Sequence, residues 1–381
     1  MHITLIRQRY NPYGGAERFL SRALGALDNA DIKVSLIARE WEPIKGIDFI
    51  RCDPFYLGRL WRDWSFARRV CQQIKTLKPD LVQSHERVAC CDIYRAGDGV
   101  HSVWLEQKTR NQSWLAQMHV RFSPYHNYIK RAEKRLFESP RLRAVICNSS
   151  MVRADILQRF KIDRSKIHII YNGVDTKLFH PGIKQQKNRL REQWDIPDAA
   201  NVFVFVGSGF ERKGLLQVLR SFKPLPENSY LLVAGYDKRE QFYREEAGRL
   251  GINSRVKFFG PQKNVIPCYA AADVFILPTL YDPFPNVVLE AMACGLPVIT
   301  STKSGAAEVI TDYANGFVCD AYDLEKLQEA MRILSDKEVA ERMGKQARVV
   351  AEKYDLDRMA EKLTALYKNL VKEKTDENCS Y

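Results

Sequence analysis

Two acidic side chains stand eight positions apart in the segment 273–300, DVFILPTLYDPFPNVVLEAMACGLPVIT. Asp282 follows an apolar, β-branched run that predicts a buried strand at 274–277, and it lies in a proline-rich loop. Glu290 lies on the helix that the pattern predicts next. Each carboxylate can accept two hydrogen bonds, as a vicinal diol such as a ribose requires. The alternative is a turn aspartate and a solvated helix glutamate, which are common in such units.

The start of this predicted helix can also bind an anion. Asn286 suits an N-cap, and Gly295 and Pro297 stop the helix before a second apolar run at 298–300. Strand, loop, helix and strand form a βαβ unit. Ligands bind such units at the carboxyl ends of the strands, where the first helical amides attract a phosphate or a hydroxylated anion.

Two cations follow another predicted strand, in the sequence GSGFERKG at 207–214. Arg212 and Lys213 lie where this strand becomes a helix, a position from which paired cations can bind a diphosphate. A second glycine-rich turn, Gly14-Gly15, follows the first strand of the chain and would let backbone amides approach a ligand. A plain tight turn is the alternative there, because the spacing matches neither a dinucleotide fingerprint nor a P-loop.

A carboxylate and an imidazole lie three residues apart in YRAGDGVHSVW. In this glycine-punctuated loop, Asp98 and His101 could share a pocket, contact sugar hydroxyls or take part in proton transfer. A turn aspartate and a packed histidine are the alternative. The spacing of His, Cys and Asp predicts no metal site.

The elements that must position these groups alternate between strand and helix. The 381 residues, 45% of them hydrophobic, suffice for two cores. We therefore expect an α/β protein with two doubly wound parallel sheets and a helical C-terminal region at 323–373. The predicted strands are 3–6, 34–38, 81–84 and 145–148 in the first half, and 202–206, 231–234, 256–259, 274–277 and 298–300 in the second.

Apolar runs and cysteines place the chain in a broad class. No run of eighteen apolar residues is present, and the N-terminus lacks a secretory pattern, so we expect a cytoplasmic protein. The nine cysteines include no Cys-x-x-Cys pair and mostly fall in apolar segments. They are expected to be reduced core residues.

The net charge of +13 is confined to one half of the chain. Residues 1–180 hold 31 Lys and Arg against 18 Asp and Glu, whereas residues 181–381 hold 28 of each. The segments 59–75 and 104–137 combine these cations with aromatic residues, a pattern typical of helices that lie on anionic bilayers. A core stripe with a solvated basic face is the alternative. The basic half indicates an anionic partner: a membrane surface, a phosphorylated acceptor or nucleic acid.

The motifs GGAER, NSSMVRADI, YNGVDTKLF, GSGFERKG, VKFFGP, YDPFPNVVLEAMACGLPVI and SGAAEVI, in this order, resemble a retaining glycosyltransferase of glycosyltransferase family 4. The resemblance implies the GT-B fold, in which two Rossmann-like doubly wound domains face a central cleft. It places an acceptor-binding domain at 1–180, a linker at 181–200 and a nucleotide-sugar-binding domain at 201–356. The helix at about 357–373 could pack back on the first domain.

The resemblance also implies roles for single residues. Glu290 would grip the ribose, Arg212 and Lys213 the diphosphate, and Asp282 stands where the family usually has Glu. The expected catalytic set is Asp98, His101, Arg212, Lys213 and Asp282, of which Asp98 and His101 come from the loop YRAGDGVHSVW and not from the family motifs. The implied donor-binding set is Gly15, Gly207, Arg212, Lys213, Gly260, Pro261, Asp282, Asn286, Val287, Val288 and Glu290.

Among these transferases, the basic first half and RAGDGVHSVWL resemble bacterial enzymes of the lipopolysaccharide core. The expected activity is metal-independent, cofactor-free transfer of a hexose or N-acetylhexosamine, with retention, from a nucleotide sugar, UDP-sugar favoured. The expected acceptor is a lipopolysaccharide or lipooligosaccharide core at the inner face of the cytoplasmic membrane, with no nucleic-acid partner. Alternatives are a sugar-nucleotide 2-epimerase, a transferase for another glycolipid or capsule acceptor, and a non-enzymatic binding module, which would leave GSGFERKG without a role.

Overall fold

The computed structural model describes residues 1–8, 32–40 and 47–379, without the side chains of residues 378 and 379. The helix predicted to follow Gly14-Gly15 and the donor-binding candidate Gly15 lie outside the described residues. Two compact units form the structure. The first comprises Met1–Tyr171 and Leu356–Tyr381, and the second comprises Asn172–Asp355.

The first unit contains a seven-stranded parallel sheet. Its strands are β1 His2–Ile6, β2 Lys33–Ala38, β3 Ile47–Arg51, β4 Leu81–Ser84, β5 Ile93–Arg95, β6 Ala144–Cys147 and β7 Ile167–Ile169. Their order is β3-β2-β1-β4-β5-β6-β7. In the interior strand β1, Ile3 pairs with Val34 on one side and Leu81 on the other. All three side chains are buried, as expected for a parallel sheet that is covered on both faces.

The second unit contains a six-stranded parallel sheet. Its strands are β8 Asn201–Val206, β9 Ser229–Ala234, β10 Val256–Gly260, β11 Val274–Leu277, β12 Val298–Ser301 and β13 Gly316–Cys319. Their order is β10-β9-β8-β11-β12-β13. Phe203 pairs with Leu231 and with Val274 and is fully buried. The predicted α/β class with two doubly wound sheets is confirmed.

Fourteen α-helices connect and flank the strands among the described residues. They are α1 Gly58–Leu77, α2 His101–Thr109, α3 Trp114–Phe122, α4 Pro124–Phe137, α5 Ser150–Arg159, α6 Lys187–Gln193, α7 Phe210–Lys213, α8 Leu215–Phe222, α9 Glu240–Arg249, α10 Ile266–Ala271, α11 Asn286–Ala293, α12 Leu324–Leu334, α13 Lys337–Ala351 and α14 Leu356–Cys379. Short 3-10 helices occur at Arg164–Lys166, Pro181–Gln186, Asn253–Arg255, Gly305–Val309 and Glu352–Tyr354.

Strands β3, β5, β7 and β13 were not predicted from the sequence. Strands β5 and β7 have only three residues each, and no side chain of β3 is buried, so these strands lack a clear apolar run in the sequence. The C-terminal region is helical as expected, but it is interrupted. Asp336 accepts hydrogen bonds from the amides of Glu338 and Val339, and this capping starts α13 as a separate helix.

The structure corrects the predicted linker at 181–200, which is folded into the second unit. Arg191 on α6 is fully buried and donates hydrogen bonds to the Ala271 carbonyl at 2.9 Å and to Asp273 at 2.8 Å. A buried guanidinium needs such partners, so this segment is fixed. The chain instead passes between the units after Tyr171 and again before Leu356.

Helix α14 completes the core of the first unit. The Tyr367 hydroxyl donates to Gln83 on β4 at 2.7 Å, and both side chains are buried. Apolar side chains along the same helix join β1, β2 and β6 in one cluster: Met359, Leu363, Leu366 and Leu370.

Two of the cysteines do not fit the expectation of reduced core residues. Cys71 on α1 and Cys90 in the loop after β4 form a disulfide with a Cα to Cα distance of 5.8 Å. The two are 19 residues apart with a strand between them, so tertiary packing brings them together. Six other cysteines are free and buried: Cys52, Cys91, Cys147, Cys268, Cys294 and Cys319.

Candidate active site

The candidate site of the second unit lies where the strand order reverses. From β8 the chain adds β9 and β10 on one side, and then returns to place β11 on the other. The loops after β8 and β11 therefore meet at the carboxyl edge of the sheet, the usual ligand position in this topology. The carbonyl of Arg212 joins them, because it accepts hydrogen bonds from the Leu280 amide at 2.8 Å and the Thr279 hydroxyl at 2.9 Å.

Gly214 makes this close approach possible. Its φ is +80°, and a Cβ at this position would lie 2.1 Å from the carbonyl oxygen of Pro278. Any other residue would have to displace backbone and would also be strained at this φ. The glycine that ends GSGFERKG thus fixes the position of the two preceding cations.

Lys213 and Asp282 form a buried ion pair, with Nζ and Oδ2 2.5 Å apart. Burial raises the pKa of the Asp282 carboxyl, but the charges of Lys213 and Arg212 outweigh it, so the pKa lies below its ordinary value. Burial lowers the pKa of Lys213, and the contact with Asp282 partly offsets this. The acid predicted to contact the donor sugar is therefore already held by a cation.

Arg212 has different surroundings. Its guanidinium lies 4.0 Å from Asp282, and 40% of its side chain is exposed. It retains donors that can reach a ligand at the edge of the sheet. Lys213, in contrast, is paired with Asp282. A Cβ at position 207 would lie 3.3 Å from the aliphatic chain of Lys213, so Gly207 leaves room for this side chain.

Helix α11 starts one residue earlier than predicted. Pro285 is the N-cap and makes no side-chain capping bond, so Asn286 is the first helical residue. The side chain of Asn286 instead accepts a hydrogen bond from Asn172 at 2.6 Å, and Asn172 also donates to the Phe284 carbonyl. The amide of Val288 donates to Pro285 at 3.1 Å, whereas Val287 is partly exposed at the helix start.

Glu290 lies one turn into α11 and is 4% exposed. The hydroxyl of Tyr269 donates to its carboxylate at 3.2 Å and orients it. Gly260 ends β10 with a φ of +65° and is followed by Pro261, at the same carboxyl edge of the sheet. The structure thus brings Gly207, Arg212, Lys213 and Asp282 into direct contact or near contact, and places Gly260, Pro261 and α11 along the same edge.

In the first unit, His101 is the first residue of α2. Its amide donates to both carboxylate oxygens of Glu133 at 3.0 and 3.2 Å, and its Nε2 lies 3.0 Å from Nδ1 of His126. Burial, followed by the charges of Arg87 and His126, lowers the pKa of His101 to about 3. The imidazole is therefore neutral near pH 7 and can donate or accept a hydrogen bond.

Asp98 belongs to the same network only indirectly. Its carboxylate is more than half exposed and lies 3.9 Å from Arg87, whose Nε donates to Glu133 at 3.0 Å. Arg87 and Glu133 thereby connect the loop that carries Asp98 to the helix that begins at His101. Asp98 and His101, predicted to share a pocket, are therefore connected through Arg87 and Glu133 and not by a direct hydrogen bond.

The sequence analysis did not identify Glu133 and Tyr269, which hold His101 and Glu290 in place. Glu133 is 1% exposed, and burial raises its pKa although Arg87 opposes this. A signal was present, because Glu133 follows Ile129 by four residues and precedes Leu136 by three on the apolar face of α4. An acid on such a face requires a partner. Nothing in the sequence around Tyr269 indicated that it would contact Glu290.

Neither a metal cluster nor a membrane span is found within the ranges that the structure covers. No group of three or more His, Cys, Asp or Glu side chains there could hold a metal ion. No helix among the same residues is both long and apolar enough to cross a bilayer.

Family models match both halves of the chain. The model for glycosyltransferase family 4 matches residues 13–178, and the model for glycosyl transferases group 1 matches residues 186–375. Lipopolysaccharide glucosyltransferase WaaG of Escherichia coli K12 is 25% identical over 371 residues, covering 95% of this chain and 97% of WaaG. Spore coat protein SA of Bacillus subtilis is 31% identical over 243 residues, covering 58% of this chain and 64% of that protein.

Solved structures agree with the fold. The crystal structure of WaaG superposes with a TM-score of 0.84 at 24% identity, covering 96% of this chain and 99% of that one. Anabaena HepE, solved with UDP-glucose, superposes with a TM-score of 0.74 at 19% identity, covering 97% and 100%. With two family models that follow one another along the chain, and with the fold shared, the chain belongs to the family 4 glycosyltransferases of the GT-B architecture.

Proposed function

We propose that this glycosyltransferase is retaining and metal-independent, and that it moves a hexose or N-acetylhexosamine from a UDP-sugar to a lipopolysaccharide or lipooligosaccharide core acceptor. The observation that carries the proposal is the arrangement of Arg212 beside the buried Lys213–Asp282 pair, at the carboxyl edge of the second sheet. A cation at this place can neutralise a departing diphosphate without a metal ion. The name of the WaaG relative supports the acceptor class, and the UDP-glucose bound in HepE supports the donor class.

Retention without a covalent intermediate fits the acids of the site. A double displacement needs a carboxylate that is free to attack the anomeric carbon. Asp282 is paired with Lys213 and Glu290 accepts from Tyr269, so both carboxylates are positioned as hydrogen-bonding groups. In same-face attack the leaving diphosphate accepts the proton of the acceptor hydroxyl, and Arg212 stabilises the charge that develops on it.

His101 has the properties of an orienting residue. Its low pKa makes it a weak base, and the bonds of its main chain to Glu133 hold it at the start of α2. A neutral imidazole there can hydrogen-bond to a sugar hydroxyl without taking its proton. Asp98, more exposed and beside Arg87, is proposed to contact a hydroxyl of the donor or acceptor.

We place the enzyme on the inner face of the cytoplasmic membrane because of α3. This helix has no buried residue, and Trp114, Leu115 and Phe122 are each more than 60% exposed. The next helix, α4, presents Lys130 and Arg131. Exposed aromatic residues beside cations are typical of helices that rest on anionic bilayers.

The proposal is tested by product analysis. Purified enzyme would be incubated with UDP-glucose, UDP-galactose or UDP-N-acetylglucosamine, a core oligosaccharide lipid and EDTA, and the new linkage would be assigned by NMR. We expect an α-linked product, which is retention from an α-linked donor, with EDTA present. A β-linked product would overturn retention, and full inhibition by EDTA that Mg²⁺ reverses would overturn metal independence. Release of a free epimerised sugar would favour the 2-epimerase alternative.

A further inference from the structure

A cationic cavity lies in the second unit, away from the candidate active site. It has a volume of about 420 Å³ and is bordered by Asp273, Gly295 and one face of α13. Asp273 precedes β11, and Gly295 lies just before β12, so the cavity is at the amino edge of the parallel sheet. The loops of the candidate donor site follow the carboxyl ends of the same strands.

Cations outnumber acids in this cavity. Five basic side chains border it, against Asp273 and Glu341. Asp273 is already shared by Lys187 at 2.6 Å and Arg191 at 2.8 Å, and Glu341 is paired with Lys345 at 2.8 Å. The basic side chains of the lining are Lys184, Lys187, Lys337, Lys345 and Arg348.

Lys184 and Lys337 remain without an acidic partner among the residues that the structure describes. Lys337 is exposed at the start of α13. Lys184 is partly buried, and its ammonium donates to the Gly295 carbonyl at 3.0 Å. Burial, and then the charge of Lys187, lowers the pKa of Lys184. An ammonium group has three donors, so a bound anion could accept from Lys184 and offset the repulsion.

We propose that this cavity binds a compact phosphorylated metabolite, such as a sugar monophosphate. The volume lies in the range of small-molecule sites. A phosphate group offers several acceptor oxygens to Lys184 and Lys337, and the neutral part of the ligand would lie against Pro181 and Ala340 on the walls. No residue of this cavity belongs to the candidate donor site.

Helix α11 connects the cavity to the donor site. Its C-terminal end is held by Lys184 through Gly295 and by Arg348, which donates to the Ala293 carbonyl at 2.8 Å. Its first turn and Glu290 belong to the candidate donor site. An anion that draws Lys184 away from Gly295 alters the hydrogen bonding at one end of this eight-residue helix. Resting on the proposed function, we infer that ligand in the cavity changes the affinity for UDP-sugar, and that the coupling is reciprocal.

The binding test uses isothermal titration calorimetry on the full chain, with inorganic phosphate, glucose 6-phosphate, and glucose as the neutral control. We expect saturable binding of glucose 6-phosphate and none of glucose. The double variant Lys184→Met/Lys337→Gln should weaken binding about tenfold or more, because two charged hydrogen-bond donors are lost. The single variant Lys337→Gln, at an exposed position, should weaken it in the same direction without affecting folding. Lys326→Gln, another exposed lysine of this unit, should leave it unchanged.

Arg212→Ala separates the two sites. If it abolishes glucose 6-phosphate binding while the cavity variants retain it, the phosphate occupies the donor site and the proposed cavity is overturned. Absence of saturable binding by either phosphate at millimolar concentration would also overturn it. Binding that the cavity variants weaken, with an unchanged affinity for UDP-sugar in the presence of glucose 6-phosphate, would retain the cavity and overturn the coupling. Failure of UDP-sugar to bind under any condition would contradict only the proposed function.

Discussion

Arg212 and Lys213 are neighbours in sequence but have different surroundings. The Arg212 side chain is 40% exposed and lies 4.0 Å from the carboxylate of Asp282, whereas Lys213 is buried and forms an ion pair with that carboxylate. We expect Arg212→Ala to lower kcat about a hundredfold, because the lost donors act mainly on charge that develops in the transition state. Melting temperature should hardly change. Steady-state kinetics with a UDP-sugar would check this, and a raised KM with unchanged kcat would remove Arg212 from catalysis.

Lys213→Met is the matched comparison for Arg212→Ala. It leaves Asp282 buried without its 2.5 Å partner, and breaking a buried pair in this way costs about 3–5 kcal/mol of unfolding free energy. The double variant Lys213→Met/Asp282→Asn should regain much of that loss, since no buried charge remains. Urea unfolding of the three proteins would measure it. Equal stability of Lys213→Met and the parent would show that the pair is not a structural requirement.

The pKa of His101 gives a pH dependence with a definite sign. The folded value of about 3 lies below the ordinary value of 6.5, so the unfolded chain binds the proton more readily. The stabilising contribution of the neutral imidazole is complete above pH 6.5 and is lost as the pH falls from 6.5 towards 3. Urea unfolding at pH 7 and pH 4.5 should therefore show a smaller loss of stability for His101→Gln than for the parent. NMR titration of this imidazole near pH 6.5 would contradict the assignment.

At the scale of elements, α3 and α4 differ in what they bury. Helix α4 buries Ile129, Leu136 and Phe137 in the first unit, whereas α3 buries nothing. The alternative of a core stripe with a solvated basic face therefore describes α4 but not α3. The core-stripe alternative also describes α1, which buries Phe66, Val70 and Ile74.

Membrane binding by this region should depend on charge. Each Lys or Arg near an anionic bilayer contributes about 1 kcal/mol. We expect the protein to sediment with phosphatidylglycerol vesicles at low salt and not with neutral vesicles. The variant that loses this binding would have five neutralised positions: Lys108, Arg110, Arg121, Lys130 and Arg131.

The matched control neutralises five exposed cations of the second unit: Lys223, Lys238, Lys326, Arg332 and Arg342. This control changes the net charge equally, so it should sediment like the parent if the site is local. Binding should also fade at high salt, since the Debye length falls from about 10 Å at 0.1 M to about 3 Å at 1 M. Equal sedimentation of the two variants would reject the segment 108–131 as the membrane site.

At the scale of the whole molecule, the chain returns to its first unit through α14. The Tyr367 hydroxyl is the buried partner of Gln83. Tyr367→Phe leaves the Gln83 side-chain oxygen without this donor, at a cost of about 1–3 kcal/mol. The two units have separate cores, so calorimetry should show this loss in the transition of the first unit.

Binding of UDP-sugar should stabilise the second unit, whereas Tyr367→Phe destabilises the first. A ligand at a hundred times its dissociation constant adds about 2.7 kcal/mol to the state that binds it. We expect UDP-sugar to raise the transition of the second unit and Tyr367→Phe to lower the other one. A single transition that both changes move equally would show that the units unfold together.

Local pattern in the sequence determined nine of the thirteen strands of the two sheets and the donor motifs. Buried parallel strands read as apolar runs because both of their faces are covered, and glycines mark turns that need a close approach or a positive φ. The strand Val274–Leu277 and the helix after it follow from such patterns within one residue. The order of the motifs along the chain predicted the glycosyltransferase family and the GT-B fold.

Tertiary structure alone decided which groups meet. The pairing of Lys213 with Asp282 spans 69 residues, that of Tyr367 with Gln83 spans 284, and the Cys71–Cys90 disulfide joins a helix to a loop beyond a strand. Short strands and the buried segment at 181–200 were likewise set by packing. The physical reason is that periodicity reports which face of an element is buried, whereas the partner on the other side is fixed only when the whole unit packs.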